Sequence, residues 1–163
     1  MTGTNQPCPA CNGAEKIKSP DGSKWQTCWK CEGAGEDPGI PRFFEYVYQG
    51  NLTANQALLN QRVVTNGDAP FRLKLLMRTK TGDFRIRLYD SANRYYSSAG
   101  EGGTNDRVRD ACLFGDASLP FIVVPHIIIP AGGFIGFDLE DISGANNLIH
   151  LVFAGDKVYP SSK

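Results

Sequence analysis

At 163 residues, 41% hydrophobic and 21% charged, the chain has the make-up of a globular protein: one ordinary domain with room for a small appendage. Its 17 basic and 17 acidic residues cancel, which argues against nucleic acid or an anionic membrane surface as partner. Neutrality also removes self-repulsion, as suits a protein that forms a homo-oligomer or symmetric assembly.

The first residues, Met1 to Pro7, carry neither a basic n-region nor an apolar h-region, so no secretory signal is expected. Two close pairs of cysteines follow: Cys8-Pro-Ala-Cys11 and, sixteen residues on, Cys28-Trp-Lys-Cys31. Two residues between paired cysteines let one tight turn aim both thiolates at one ion. Four thiolates close the tetrahedral shell of Zn²⁺ and leave no place for water or substrate, so Cys8, Cys11, Cys28 and Cys31 are expected to hold a structural zinc. The alternative, a redox pair, needs a helix start to depress one thiol's pKa, and none is visible. The connector reads as a hairpin, Lys16-Ile17-Lys18 and Lys24-Trp25-Gln26 around the turn Ser19-Pro20-Asp21-Gly22. So short a segment buries little apolar area, and metal ligation is expected to supply most of its folding free energy, on the order of 10 kcal/mol.

Cys8-Pro-Ala-Cys11-Asn-Gly13 and Cys28-Trp-Lys-Cys31-Glu-Gly33-Ala-Gly35 resemble two copies of the CxxCxGxG repeat of DnaJ-type chaperones, the first copy having Glu15 in place of the last glycine. The resemblance covers about thirty residues, and the chain has no His-Pro-Asp signature. It implies the hairpin geometry around zinc and not the chaperone activity.

Glu36-Asp37-Pro38-Gly39-Ile40-Pro41 is a punctuated junction, dividing a zinc module (1–40) from a main domain (41–163). Beyond it the hydrophobic period becomes two. Phe71, Leu73, Leu75 and Met77 alternate with Arg72, Lys74 and Arg78; Phe84, Ile86 and Leu88 with Arg85 and Arg87; Ile135, Phe137 and Leu139 with Asp138 and Glu140. Further strands are expected at 44–49, 57–64, 120–124, 127–129 and 148–153, separated by turns such as Asn66-Gly67-Asp68, Thr81-Gly82-Asp83 and Asp90-Ser91-Ala92-Asn93. About eight short strands without helical periodicity predict an all-β antiparallel β-sandwich, of jelly-roll type. The stretch Leu119 to Ile129 is apolar but too short to span a bilayer, so no membrane partner is expected. The glycine-rich 97–105 segment reads as a mobile loop.

Arg72, Lys74, Arg78, Arg85 and Arg87 would form a basic stripe on two strands joined by a tight turn: a solvated face with cross-strand pairs, or a docking face for an acidic surface. His126 and His150 lie in apolar strands and read as structural. Asp138, Glu140 and Asp141 lack the glycine spacing of a calcium loop. Cys112 reads as a small buried residue. No nucleophile elbow or phosphate loop occurs, so no enzyme is expected.

The runs Phe43-Phe44-Glu45-Tyr46, Gly82-Asp-Phe84-Arg-Ile86-Arg-Leu88 and Ile129-Pro130-Ala-Gly-Gly133 resemble, with their surroundings over residues 43–158, small β-sandwich structural proteins of tailed bacteriophages. The resemblance implies a capsid decoration, cement or minor head protein, located in virions assembled in the host cytoplasm, with the major capsid protein or another virion protein as partner. Trp25, Trp29 and Tyr48 are the expected interface anchors. Two other readings stay open: a cytosolic DnaJ-like zinc-ribbon adaptor, and a carbohydrate-binding sandwich using Tyr89, Tyr95 and Tyr96.

Overall fold

The computed structural model describes residues 7, 12, 14, 16–18, 25–27, 39–96 and 107–160. The chain divides into two compact units, Met1–Pro41 with Val158–Lys163, and Arg42–Lys157. In the first, β1 (Lys16–Lys18) pairs antiparallel with β2 (Trp25–Thr27), Lys16 opposite Thr27 and Lys18 opposite Trp25.

Eight strands follow: β3 (Ile40–Leu52), β4 (Ala57–Val64), β5 (Phe71–Lys80), β6 (Phe84–Asp90), β7 (Val108–Arg109), β8 (Phe121–Ile129), β9 (Phe134–Asp141) and β10 (Asn147–Tyr159). A single 3₁₀ turn, Asp110–Cys112, is the one helical element among the described residues. The strands form two four-stranded sheets. Sheet I runs β3-β10-β5-β8 and sheet II runs β4-β9-β6-β7. The neighbours are nested, β3 with β10, β4 with β9, β5 with β8 and β6 with β7, as though one long hairpin had been rolled across both sheets. The all-β antiparallel sandwich is thus present.

Alternation selects the inner faces. In β6 every second residue, Phe84, Ile86, Leu88 and Asp90, is buried. In β10 every second residue from Asn147 to Lys157 is buried, and the bulge at Ala154–Gly155 lies in its partner β5, where Lys74 has no opposite residue. A Cβ at Gly155 would lie 2.0 Å from the Arg72 carbonyl oxygen, so glycine is required where the strands close up at the bulge. Between the sheets Phe137 stacks on Phe153 with centroids 5.9 Å apart. Phe71, Phe84, Phe137 and Phe153 are fully buried, each contributing about 2–3 kcal/mol of apolar transfer free energy.

Four expectations are corrected. The strands foreseen at 120–124 and 127–129 are one strand, β8, which carries Pro125 because it is the edge of sheet I, where no neighbour needs its missing N–H. The basic stripe does not form: β5 and β6 belong to different sheets, because the turn between them crosses the sandwich. Arg78 is not outward either. Its partner across the ladder is Leu151, which is fully buried, so both share the inner face; β5 changes phase near Leu75–Leu76, the irregularity that the sequence shows as Leu76. Cys112 is exposed at the end of the 3₁₀ turn and not buried.

Candidate interaction surface

Cys8, Cys11, Cys28 and Cys31, and with them the zinc, lie outside the described residues, as do Trp29, the Trp25 side chain and residues 97–106. Among the described residues no group of three or more His, Cys, Asp or Glu side chains is placed to hold a metal. No described helix is long and apolar enough to cross a membrane.

Acidic residues in the sandwich are occupied in holding it together. Asp138 lies directly opposite Arg87, and Glu140 opposite Arg85. The Arg87 Nε donates to Asp138 at 2.9 Å, and the amide of Asn60 donates to the other carboxylate oxygen at 2.7 Å. Asn60 has φ +55° at a bulge in β4, which turns its N–H toward the carboxylate. Glu140 pairs with Arg107 at 3.3 Å and Arg85 at 3.9 Å. The bland reading of the cations as cross-strand partners therefore describes Arg85 and Arg87, and Lys74 pairs likewise with Asp156.

Asp110 is buried and accepts from Arg78 and Lys80, while the Arg78 guanidinium also donates to the carbonyls of Phe114 and Gly115. Asp90 accepts from the Ala92 and Arg94 amides, from Arg94 Nε at 2.7 Å and from the Tyr96 hydroxyl at 2.5 Å. Burial pushes the Tyr96 hydroxyl upward, and its hydrogen bond to Asp90 adds to the rise. Asp141 closes two loops at once, accepting from the amides of Asn55, Ser143 and Gly144 and the Ser143 hydroxyl. Burial opposes its ionisation, but these hydrogen bonds win and pull it down to about 2.

Sequence reasoning missed one buried cation. Lys157 is 3% exposed, pairs with Asp68 at 3.0 Å and lies 4.0 Å from the centre of the Phe44 ring. It continues the buried alternation of Ile149, Leu151, Phe153 and Gly155 in β10, and it is hard to see in the sequence because the alternating apolar run ends at Phe153. His126 is exposed in β8, and His150 is half-buried opposite Thr79. Tyr48 is not an exposed anchor: its ring points inward, edge-on to Phe137 at 4.7 Å.

Two exposed surfaces remain. On the outer face of sheet II, Tyr95 (57% exposed) lies 5.6 Å from Tyr89 and under Arg87. Tyr89 in turn covers Gly136, where a Cβ would lie 2.2 Å from the ring. Tyr96 is turned away from this pair and lines a cleft at the other surface, so the three tyrosines do not form one platform. That second surface follows β8. Leu119 (78% exposed), Ile122 (63%), Val124 (80%), Ile128 and Phe121 are all exposed there. Between the sheets, β8 borders an apolar cavity of about 520 Å³, lined also by Leu73, Leu76, Leu88, Leu113 and Ile135.

No protein-family model matches the sequence, and no curated protein matches it. Among solved structures, the chain is similar to one titled "Structure of infectious bursal disease virus Gx strain", with 11% identity and a TM-score of 0.26. The likeness covers 94% of this chain and 43% of that one, so the chain spans under half the length of its structural neighbour.

Proposed function

We propose that this chain is a structural protein of tailed-bacteriophage virions, of the capsid decoration, cement or minor head kind, acting through protein–protein contacts and not as an enzyme. The observation that carries the reading is the uncharged apolar surface along β8, set on a rigid sandwich. Apolar side chains clustered in this way mark contact surfaces for other proteins. The nested strand order supports it: that order belongs to the jelly roll, an architecture used by viral capsid and lectin domains. Cys8, Cys11, Cys28 and Cys31 would hold a structural zinc; the β1–β2 pairing supports this, because it sets Thr27, the residue before Cys28, opposite Lys16 on the Cys11 side. The test is binding of the purified chain to purified phage heads or their capsid proteins. Saturable co-sedimentation is the expected result, and no affinity for any capsid or tail component would refute the reading.

A carbohydrate-binding role has one observation in its favour, the exposed Tyr95 beside Tyr89. Specific signals on a glycan array, lost in Tyr95→Ala, would favour it over the virion reading.

A further inference from the structure

We infer that the β8 side of the sandwich is a self-association surface, filled by a second copy of this chain across a two-fold axis near Pro125. The inference deepens the virion reading by giving it a symmetric partner. Its test reads self-association alone, so either can fail without the other.

The first ground is charge. From Leu119 to Ile129 there is no Asp, Glu, Lys or Arg, and His126 is the sole titratable side chain. Arg94, which also lines the cavity beside β8, is paired with Asp90, so the surface can face its own copy with little like-charge repulsion. The opposite face, with its arginines and carboxylates on sheet II, has the reverse character.

The second ground is shape. In the β5–β8 ladder Leu73 pairs with Ile127 and Leu75 with Ile122, so the four residues Val123 to His126 stand opposite the single residue Lys74. The surplus bulges out of the sheet and leaves Val124 80% exposed. The apolar cavity of about 520 Å³ opens beside the same residues. A projection and a recess side by side on one strand are self-complementary about a two-fold axis: each copy's Val124 meets the other's recess, which makes a closed, isologous pair. In that pairing Ile122 of one copy approaches Ile128 of the other.

The third ground is size. Leu119, Phe121, Ile122, Val124 and Ile128 together leave on the order of 500 Å² exposed, so two copies would bury about 1,000 Å², where specific interfaces begin. The competing occupants fit less well. A small apolar ligand in the recess would touch Ile122 and Val124 but leave Leu119 in water. The chain's own 97–106 segment, Ser-Ser-Ala-Gly-Glu-Gly-Gly-Thr-Asn-Asp, has no apolar side chain larger than alanine. A strand added to the β8 edge would meet the bulge and Pro125, which has no N–H to give, so the contact is between side chains and not between backbones.

Sedimentation equilibrium of the full chain across the micromolar range tests this. Reversible association to twice 17.8 kDa is expected. Val124→Asp should weaken it by at least about a hundredfold, since it sets two unpaired carboxylates in the contact. Val47→Asp, exposed on the opposite edge strand of sheet I, should leave it unchanged. Leu119→Asp, which lies before β8 begins, provides a second disrupting variant should circular dichroism show Val124→Asp misfolded. A wild type that stays monomeric, with or without a fatty acid in the recess, overturns the inference. So does a dimer that survives the two disrupting variants or falls equally to Val47→Asp.

Discussion

Asp141 shows how one side chain fixes local geometry. Its two oxygens gather donors from both the 53–56 turn and the 143–145 turn, which the chain separates by 86 residues between Asn55 and Asp141. The carboxyl sits at about 2 in the folded protein, below the ordinary value near 4. A folded-state value below the unfolded one means that its stabilisation is complete above the unfolded value and is lost as pH falls toward the folded one. Asp141→Ala should therefore lower stability at neutral pH by on the order of 2 kcal/mol, because three amides lose their acceptor. It should also flatten the decline in stability between about pH 4 and pH 2 that this group contributes. Urea titrations of wild type and variant at several pH values measure both effects, and parallel pH profiles would contradict the account. In the sequence, Asp141 stood out only as part of an acidic trio; its role needed the spatial meeting of two distant turns.

Elements were legible where burial is one-sided and their phase is constant. In β6, Phe84, Ile86 and Leu88 alternate with Arg85 and Arg87 without a break, and all three apolar residues are in the core. β4 spans the expected 57–64. Where a bulge resets the phase, reading from the amino-acid pattern fails. In β5 the reset sends Arg78 and Lys80 inward to the buried Asp110, although they follow a run whose cations Arg72 and Lys74 are half-exposed. β7, two residues long, is too short to carry any period. The Asp110 cluster yields a prediction at this scale. Asp110→Ala leaves two neighbouring cations without their shared anion and should cost about 3 kcal/mol in denaturant unfolding. Adding Arg78→Met should recover part of that loss, since one stranded charge is removed; strict additivity of the two changes would show that they are not coupled.

At the scale of the whole molecule, the chain combines an antiparallel sandwich with a segment proposed to hold zinc. The sandwich rests on a two-period pattern that the strands of Arg42–Lys157 largely reproduce. Its sheet partners were not legible, because nesting β3 with β10 and β4 with β9 depends on contacts between opposite ends of the domain. The proposed zinc rests on cysteine spacing and on the β1–β2 pairing. Cys28→Ser should abolish binding of one zinc per chain, read by a colorimetric zinc assay after denaturation. The sandwich should keep its cooperative thermal transition within a few degrees; loss of that transition would mean that the zinc segment and the sandwich do not fold separately.

The central claim is that the chain is a component of a phage particle. Quantitative mass spectrometry of density-purified particles, from lysates in which this chain is produced, tests it most directly. The account predicts peptides of the chain in particles at a fixed ratio to the major capsid protein, a ratio that persists through repeated purification. Abundant peptides in the lysate with none in the particles would contradict it.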